Sequence, residues 1–292
     1  MFAHAVGYDS NGRAGIESFG NFTLLRSHAF FLEQVINGIK GQKNQGDNIV
    51  TTLNYSLQET AYQALGDRRG AIVALEPSTG KIVAMVSKPD FDPNAVATEW
   101  ESIISDTEGE NSVLVNRATQ GLYPPGSTFK ILTTLEYLRE NPNYQQYSYE
   151  CIGSIPINKT EIHCYNNAVH GTESLEASFA KSCNTSYANI GLGLDRKAFS
   201  GLCSELLFGK NLPVPYASNQ SSFVLDTKSD ADQVAQTAIG QGETLVTPMH
   251  MAMITAAIAN GGNLMRPYVI DHTENYKGVT VQNYRASEYG SL

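Results

Sequence analysis

Two short stretches hold residue types that can act on one another. In Pro124-Pro125-Gly126-Ser127-Thr128-Phe129-Lys130, prolines and a glycine break the chain and a helix starts at once. Ser127 and Lys130 are three apart, so both project from one face of its first turn. A serine hydroxyl is a weak nucleophile until a base takes its proton. A lysine amine becomes that base only where its neutral form is favoured, by burial or by the positive end of a helix dipole. A capping box would carry Glu or Gln where Lys130 stands. The second stretch is Lys181-Ser182-Cys183-Asn184. Ser182 and Asn184 are two apart and cannot share a helix face, so the chain must turn there if both serve one site. Ser182 could relay a proton and the Asn184 amide could bond a substrate amide. Taken singly, each stretch reads as well as a plain N-cap with a surface lysine and as a polar helix break.

The four cysteines are Cys151, Cys164, Cys183 and Cys203. Cys151, Cys164, His170 and Cys183 could gather round one metal, since thiolate and imidazole suit zinc. Their spacing fits no standard zinc pattern, and Cys183 sits inside the Ser182–Asn184 stretch. A Cys151–Cys164 disulfide across a hairpin, or simple free thiols, is the preferred reading, and no metal or cofactor is expected. Glu243, Tyr123, Asp92 and Asn94 are expected to shape structure rather than to react.

The elements that must carry these residues can be read in outline. Residues 127–140 form the strongest helix pattern, apolar nearly all round through Phe129, Ile131, Leu132, Leu135 and Leu138, which predicts a buried central helix. Leu175, Phe179, Cys183, Tyr187 and Ile190 recur at helical spacing, so 174–194 is helical and divides into two pieces if the chain turns at Ser182. Ala71–Leu75 and Lys81–Val86 make the clearest hairpin, joined by Glu76-Pro77-Ser78-Thr79-Gly80. A short strand is expected at Ile49–Leu53. Asn54 then caps a helix with Leu57, Ala61 and Leu65 on one face. Thr247-Pro248 opens another helix, and Asn260-Gly261-Gly262 stops it. Phe30–Ile36 reads as a short helix, and the glycine-spaced 38–46 as a linker, with a boundary near residue 48. Two strands followed mostly by helices predict an α+β fold.

Composition narrows the function. Across 292 residues, 20 Lys and Arg against 29 Asp and Glu leave a charge of −9. Such a chain, without a basic tract, is a poor partner for nucleic acid. Hydrophobic residues at 41% permit a sizeable core. No run approaches the roughly 18 apolar residues of a membrane helix, and the N-terminus does not read as a signal peptide. Any anchor or export signal is therefore expected outside this chain.

Taken together, the two stretches and their flanks resemble the class B penicillin-binding proteins, whose motif set is S-x-x-K, S-x-N and K-T-G. The resemblance covers about residues 48–270. It is carried, in the family's order, by Gly70–Met85, Pro89-Asp90-Phe91-Asp92-Pro93-Asn94, Asn116-Arg117-Ala118, Tyr123–Lys130, Ala180–Thr185, Gly240-Gln241-Gly242-Glu243 with Thr247-Pro248, and Ala259-Asn260-Gly261-Gly262. It implies a penicillin-binding protein transpeptidase/serine β-lactamase-like fold, an antiparallel sheet flanked by helices, with Ser127 starting the central helix. It also implies a D,D-transpeptidase. Ser127 would attack the penultimate D-alanine carbonyl of a peptidoglycan stem peptide, Lys130 would take its proton, and Ser182 would pass that proton to the leaving amine. Asn184 would hold the peptide or β-lactam amide, and the Ser127 N–H would supply half of the oxyanion hole. β-Lactam antibiotics would acylate Ser127 and leave slowly. A separate glycosyltransferase would polymerise the glycan, and an N-terminal membrane anchor would hold the catalytic domain outside the cytoplasm. Residues 1–47, with Gly15-Ile16-Glu17, look like the end of the family's N-terminal pedestal module, and 48–292 like a partial transpeptidase domain.

The chain departs from the family in having no Lys-Thr-Gly or Lys-Ser-Gly. The family's third motif lies on a strand that walls the site and donates the other oxyanion N–H. We expect a chain cut at both ends, incomplete at its C-terminus and poorly active alone. Two rival readings are a serine β-lactamase, which needs a carboxylate to activate water, and a non-enzymatic penicillin-sensing or scaffolding domain.

Overall fold

The computed structural model describes residues 1–105 and 112–291. They divide into two compact units. The first comprises residues 1–121, 213–219 and 247–292, and the second residues 122–212 and 220–246. The α+β expectation holds: α-helices occur with short strands paired almost entirely antiparallel. Among the described residues no helix is long and apolar enough to cross a membrane.

In the first unit the expected hairpin is present as strands Gly70–Leu75 and Ile82–Lys88, with Ile72 opposite Val86. Ile82, Ala84, Met85 and Val86 are fully buried. The turn closes at Gly80, whose φ of +80° and the Arg266 oxygen 2.5 Å from where a Cβ would stand both demand glycine. The strand near residue 49 is Asn48–Thr51, which pairs with Ile270–Glu274, itself paired with Thr280–Asn283. Asn263–Met265 pairs with Glu288–Ser291. These last four strands carry little alternation and were not legible beforehand. The helix Pro248–Ala259 starts at a Thr247 cap and stops at Asn260, as expected.

The helix Tyr55–Leu65 is capped as predicted, with the Asn54 side chain accepting from the Leu57 N–H. Of the predicted apolar face Ala61 is buried, but Leu57 is not, and Gln58 takes the buried place beside it. Gln58 is fully buried and Leu57 is 48% exposed. The Gln58 amide explains this: Oε1 accepts from the Met85 N–H and Nε2 donates to the Met85 carbonyl, both at 2.8 Å. It thereby satisfies backbone groups on the outer edge of the hairpin that would otherwise be unpaired. Residues 1–47 hold three short helices that the sequence pattern did not reveal, Ala3–Val6, Gly15–Phe19 and Asn21–Leu25, and the expected one at Phe31–Ile39.

The second unit carries both chemical stretches. Its core gathers Phe129, Phe199, Phe208 and Phe223, with ring centroids 5.1–6.4 Å apart. Phe129 is fully buried, worth about 1.5–3 kcal/mol of transfer free energy. Helices Asn184–Gly193 and Ala231–Ala238 approach closely because Gly191 has no side chain. A Cβ there would lie 2.3 Å from that of Ala238. Two small hairpins, Ser154–Ile157 with Thr160–His163 and Tyr149–Cys151 with Gly171–Glu173, complete the unit.

Candidate active site

The nucleophile candidate sits on a tight turn of helix. Gly126–Phe129 is 3-10 and continues as the α-helix Lys130–Glu140. At three residues per turn the side chains of i and i+3 eclipse, which aligns Ser127 with Lys130 more closely than an α-helix would. The central helix is less apolar than its pattern suggested. Its buried residues are Lys130, Leu132, Thr133 and Glu136, while Leu138 is 37% exposed. Buried Thr133 donates to the Ala238 carbonyl, and half-buried Thr134 bonds the Tyr187 hydroxyl at 2.6 Å.

What holds the turn in place is a backbone contact that sequence reasoning did not identify. The Gly126 N–H donates to the Gly240 carbonyl at 2.8 Å. A Cβ on Gly240 would stand 1.8 Å from the Gly126 oxygen, and φ there is +78°. From the sequence, the glycines of Gly240-Gln241-Gly242 stand out only as part of the family resemblance. Their physical purpose at this point is to let one backbone lie directly behind Ser127.

The second stretch turns as required. Helix Leu175–Ala180 ends, Ser182 adopts φ +55°, and helix Asn184–Gly193 begins. The Ser182 and Cys183 N–H groups donate to the Phe179 and Ser178 carbonyls, closing the first helix in a left-handed cap. Glycine is the usual residue there. A serine in this conformation costs about 1–2 kcal/mol, and that cost is borne where the side chain is needed.

Lys130 joins the two stretches. Its amine is 3.1 Å from Ser127 Oγ, 2.9 Å from both Ser182 Oγ and the Ser182 carbonyl, and 2.6 Å from Asn184 Oδ1. Lys130 is 1% exposed, while Ser127 is open to solvent. Burial pulls the Lys130 amine down to about 8, against the opposing pull of the Cys183 and Cys164 sulfurs. As a neutral amine it has two N–H donors and one lone pair. With the donors spent on Asn184 Oδ1 and the Ser182 carbonyl, the lone pair is left for the Ser127 O–H. The Asn184 amide is held at its other end too, where Nδ2 donates to the His163 carbonyl at 2.9 Å. All four predicted site residues are thus brought together. Ser127, Ser182 and Asn184 line a cavity of about 520 Å³ with Tyr165, Ala168, His170, Lys181, Ile239 and Gln241.

The expected Cys151–Cys164 disulfide is not formed. The sulfurs are 3.7 Å apart, against the roughly 2.05 Å of a bond. All four cysteines are free and buried, as the free-thiol alternative had it.

A family model described as the penicillin binding protein transpeptidase domain matches residues 70–288. The chain belongs to the penicillin-binding protein transpeptidase family. It is 34% identical over 287 residues to the peptidoglycan D,D-transpeptidase PbpA of Mycolicibacterium smegmatis, covering 92% of this chain and 57% of that protein. The chain thus spans little more than half the length of that curated relative. Its fold matches penicillin-binding protein A of M. tuberculosis, solved as an imipenem acyl-enzyme, with a TM-score of 0.88 at 28% identity over 99% of this chain and 70% of that one. A chain from a peptidoglycan synthase complex that coordinates polymerization and crosslinking matches at a TM-score of 0.70 and 29% identity, over 85% of this chain and 47% of that one. These likenesses bear out the transpeptidase fold that the motif order implied.

Proposed function

We propose that this chain carries the acyl-transfer centre of a peptidoglycan D,D-transpeptidase that β-lactams also acylate. The observation that carries the proposal is the Lys130 amine, buried, of lowered basicity, and 3.1 Å from an exposed Ser127 Oγ. Ser127 Oγ attacks the carbonyl carbon of the penultimate D-alanine while its proton passes to Lys130 Nζ. The Ser127 backbone N–H, at the start of a helical turn whose first N–H groups lack partners within it, faces the developing oxyanion. Ser182 Oγ, 2.9 Å from Lys130 Nζ, hands the proton to the leaving nitrogen. The C–N bond breaks, D-alanine departs, and an ester to Ser127 remains. The amine of a second stem peptide attacks that ester, forms the cross-link and returns a proton to Ser127. Asn184 orients the lysine and meets the substrate amide at the cavity wall.

Among the described residues lining the cavity none is a carboxylate, so the hydrolytic β-lactamase reading has no water-activating base on that wall. By analogy with the named relatives, the protein works outside the cytoplasm at the membrane beside a glycan-polymerising glycosyltransferase. Residues 1–47 form the end of the pedestal module in this proposal. The test is intact-mass spectrometry after benzylpenicillin treatment, on the protein at the full length its gene encodes, beside Ser127→Ala. One adduct lost in the variant is expected; an adduct that survives S127A, or none on the wild type, sinks the assignment.

A further inference from the structure

The helix Phe31–Ile39 is amphipathic in the reverse of the usual sense. A surface helix ordinarily turns its apolar stripe to the core and its polar side to water. Here the partly buried positions are the polar ones, Glu33 and Asn37, one turn apart, and every other residue of the helix is exposed. The Glu33 carboxylate is tied to the hairpin turn at Tyr276 and Lys277, accepting from the tyrosine hydroxyl and pairing with the lysine amine. Asn37 Nδ2 donates to Asn44 Oδ1 at 2.9 Å, and Gln34 Nε2 donates to the Ala29 carbonyl at 2.7 Å. These ties hold the apolar residues outward. Phe31, Val35 and Ile39 stand one turn apart with Leu32 and Ile36 beside them, a single stripe along the helix. Phe31, Leu32 and Ile39 are 69–82% exposed, and Phe30, just before the helix, is exposed too. A contiguous apolar stripe fixed toward solvent marks a surface that another phase or molecule covers.

The charges around the stripe say what covers it. Arg26, Lys40 and Lys43 are exposed and make no ion pair among the described residues. Both acidic groups of residues 20–47 are already paired, Glu33 with Lys277 and Asp47 with His28. An acidic chain of charge −9 thus leaves its free cations in this stretch beside its apolar stripe. We propose that the Phe31–Ile39 helix docks on an anionic lipid surface, with its stripe in the headgroup–acyl boundary and Arg26, Lys40 and Lys43 among the lipid phosphates. Aromatic and aliphatic residues on one side with cations next to them are the make-up of an interfacial helix. At 1.5 Å per residue the helix is about 13 Å long, so it lies along the interface and does not cross it. A second copy of the chain is a poorer match. Pairing the stripe on itself about a two-fold axis would bring the same unpaired cations together. A helix of 9 residues also falls short of the roughly 20–30 residues a side of a stable protein interface. The docking surface uses no residue of the acyl-transfer centre and stands or falls apart from the catalytic reading.

The test is vesicle co-sedimentation of the 292-residue chain. Vesicles of equal parts phosphatidylglycerol and phosphatidylcholine are compared with phosphatidylcholine alone. The anionic vesicles should bind on the order of 10–100-fold more tightly, since each cation at such a surface adds roughly fivefold. Raising the salt to about 0.5 M should erase most of that difference. Phe31→Gln with Ile39→Gln removes apolar area without changing charge, and should weaken binding to the anionic vesicles about 10-fold or more. Lys40→Gln with Lys43→Gln should weaken it to a similar extent, about 10-fold or more. Lys197→Gln with Lys210→Gln, exposed cations outside the stretch, should leave it unchanged. All these positions are exposed, so the variants should unfold at the wild-type temperature. If one does not fold, the wild-type comparison of the two vesicles still decides. Equal binding to both vesicle types, or none, overturns the proposal. So does wild-type vesicle binding by folded F31Q/I39Q. A dimer in analytical ultracentrifugation that F31Q/I39Q abolishes, with no preference for anionic lipid, would assign the stripe to a second copy and overturn the lipid reading.

Discussion

Ser182 offers a perturbation whose two effects have opposite signs. Its backbone is held at φ +55° between two helices, and its hydroxyl sits 2.9 Å from Lys130 Nζ. Ser182→Ala removes the hydroxyl and keeps the strained backbone. Ser182→Gly removes the hydroxyl and relieves the strain. The relief is about 1–2 kcal/mol for a residue with a Cβ in the left-handed region. The extra chain entropy of glycine in the unfolded state takes back roughly 0.4–1 kcal/mol. The glycine variant should therefore be more stable than the alanine variant by about 0.5–1 kcal/mol, which is a Tm difference of roughly 1–4 °C. Both should acylate with benzylpenicillin about 10²–10⁴-fold more slowly than wild type, the usual contribution of a positioned proton-transfer group. Differential scanning calorimetry and stopped-flow acylation read the two effects separately. A glycine variant no more stable than the alanine variant would mean that the turn stores no strain. Wild-type acylation in either would remove Ser182 from the proton path.

The other expectations concern the base and its scaffold. Because burial holds Lys130 near 8, its neutral form climbs from roughly one tenth at pH 7 to nine tenths at pH 9. Acylation should rise about 8–10-fold over that interval, and a flat profile would contradict lysine as the base. Gly240→Ala drives a methyl into the Gly126 carbonyl at a positive φ, so it should cost more than about 1 kcal/mol in urea unfolding and slow acylation as well. Gln58→Leu leaves the Met85 N–H and C=O without their side-chain partners, a loss of about 2–4 kcal/mol that thermal unfolding would register.

Some features of this molecule are local and were therefore legible in the residues alone. The hairpin at Gly70–Lys88 needs only two apolar runs and a Pro/Gly turn. The caps at Asn54 and Thr247 need only an oxygen side chain three residues before a free N–H. The Ser127–Lys130 and Ser182–Asn184 stretches pointed to the family only together with their flanks, seven segments in the family's order along the chain. What the tertiary structure decided depends on contacts between segments far apart in sequence. The basicity of Lys130 comes from burial against residues more than fifty positions away, which no spacing reveals. Gly240 matters because its backbone lies against Gly126, and Gln58 is buried because an edge of the hairpin needed an amide. Cys164 stands far along the chain from both Cys151 and Cys183, yet its sulfur lies 3.7 Å from each of theirs, and only the fold brings them together.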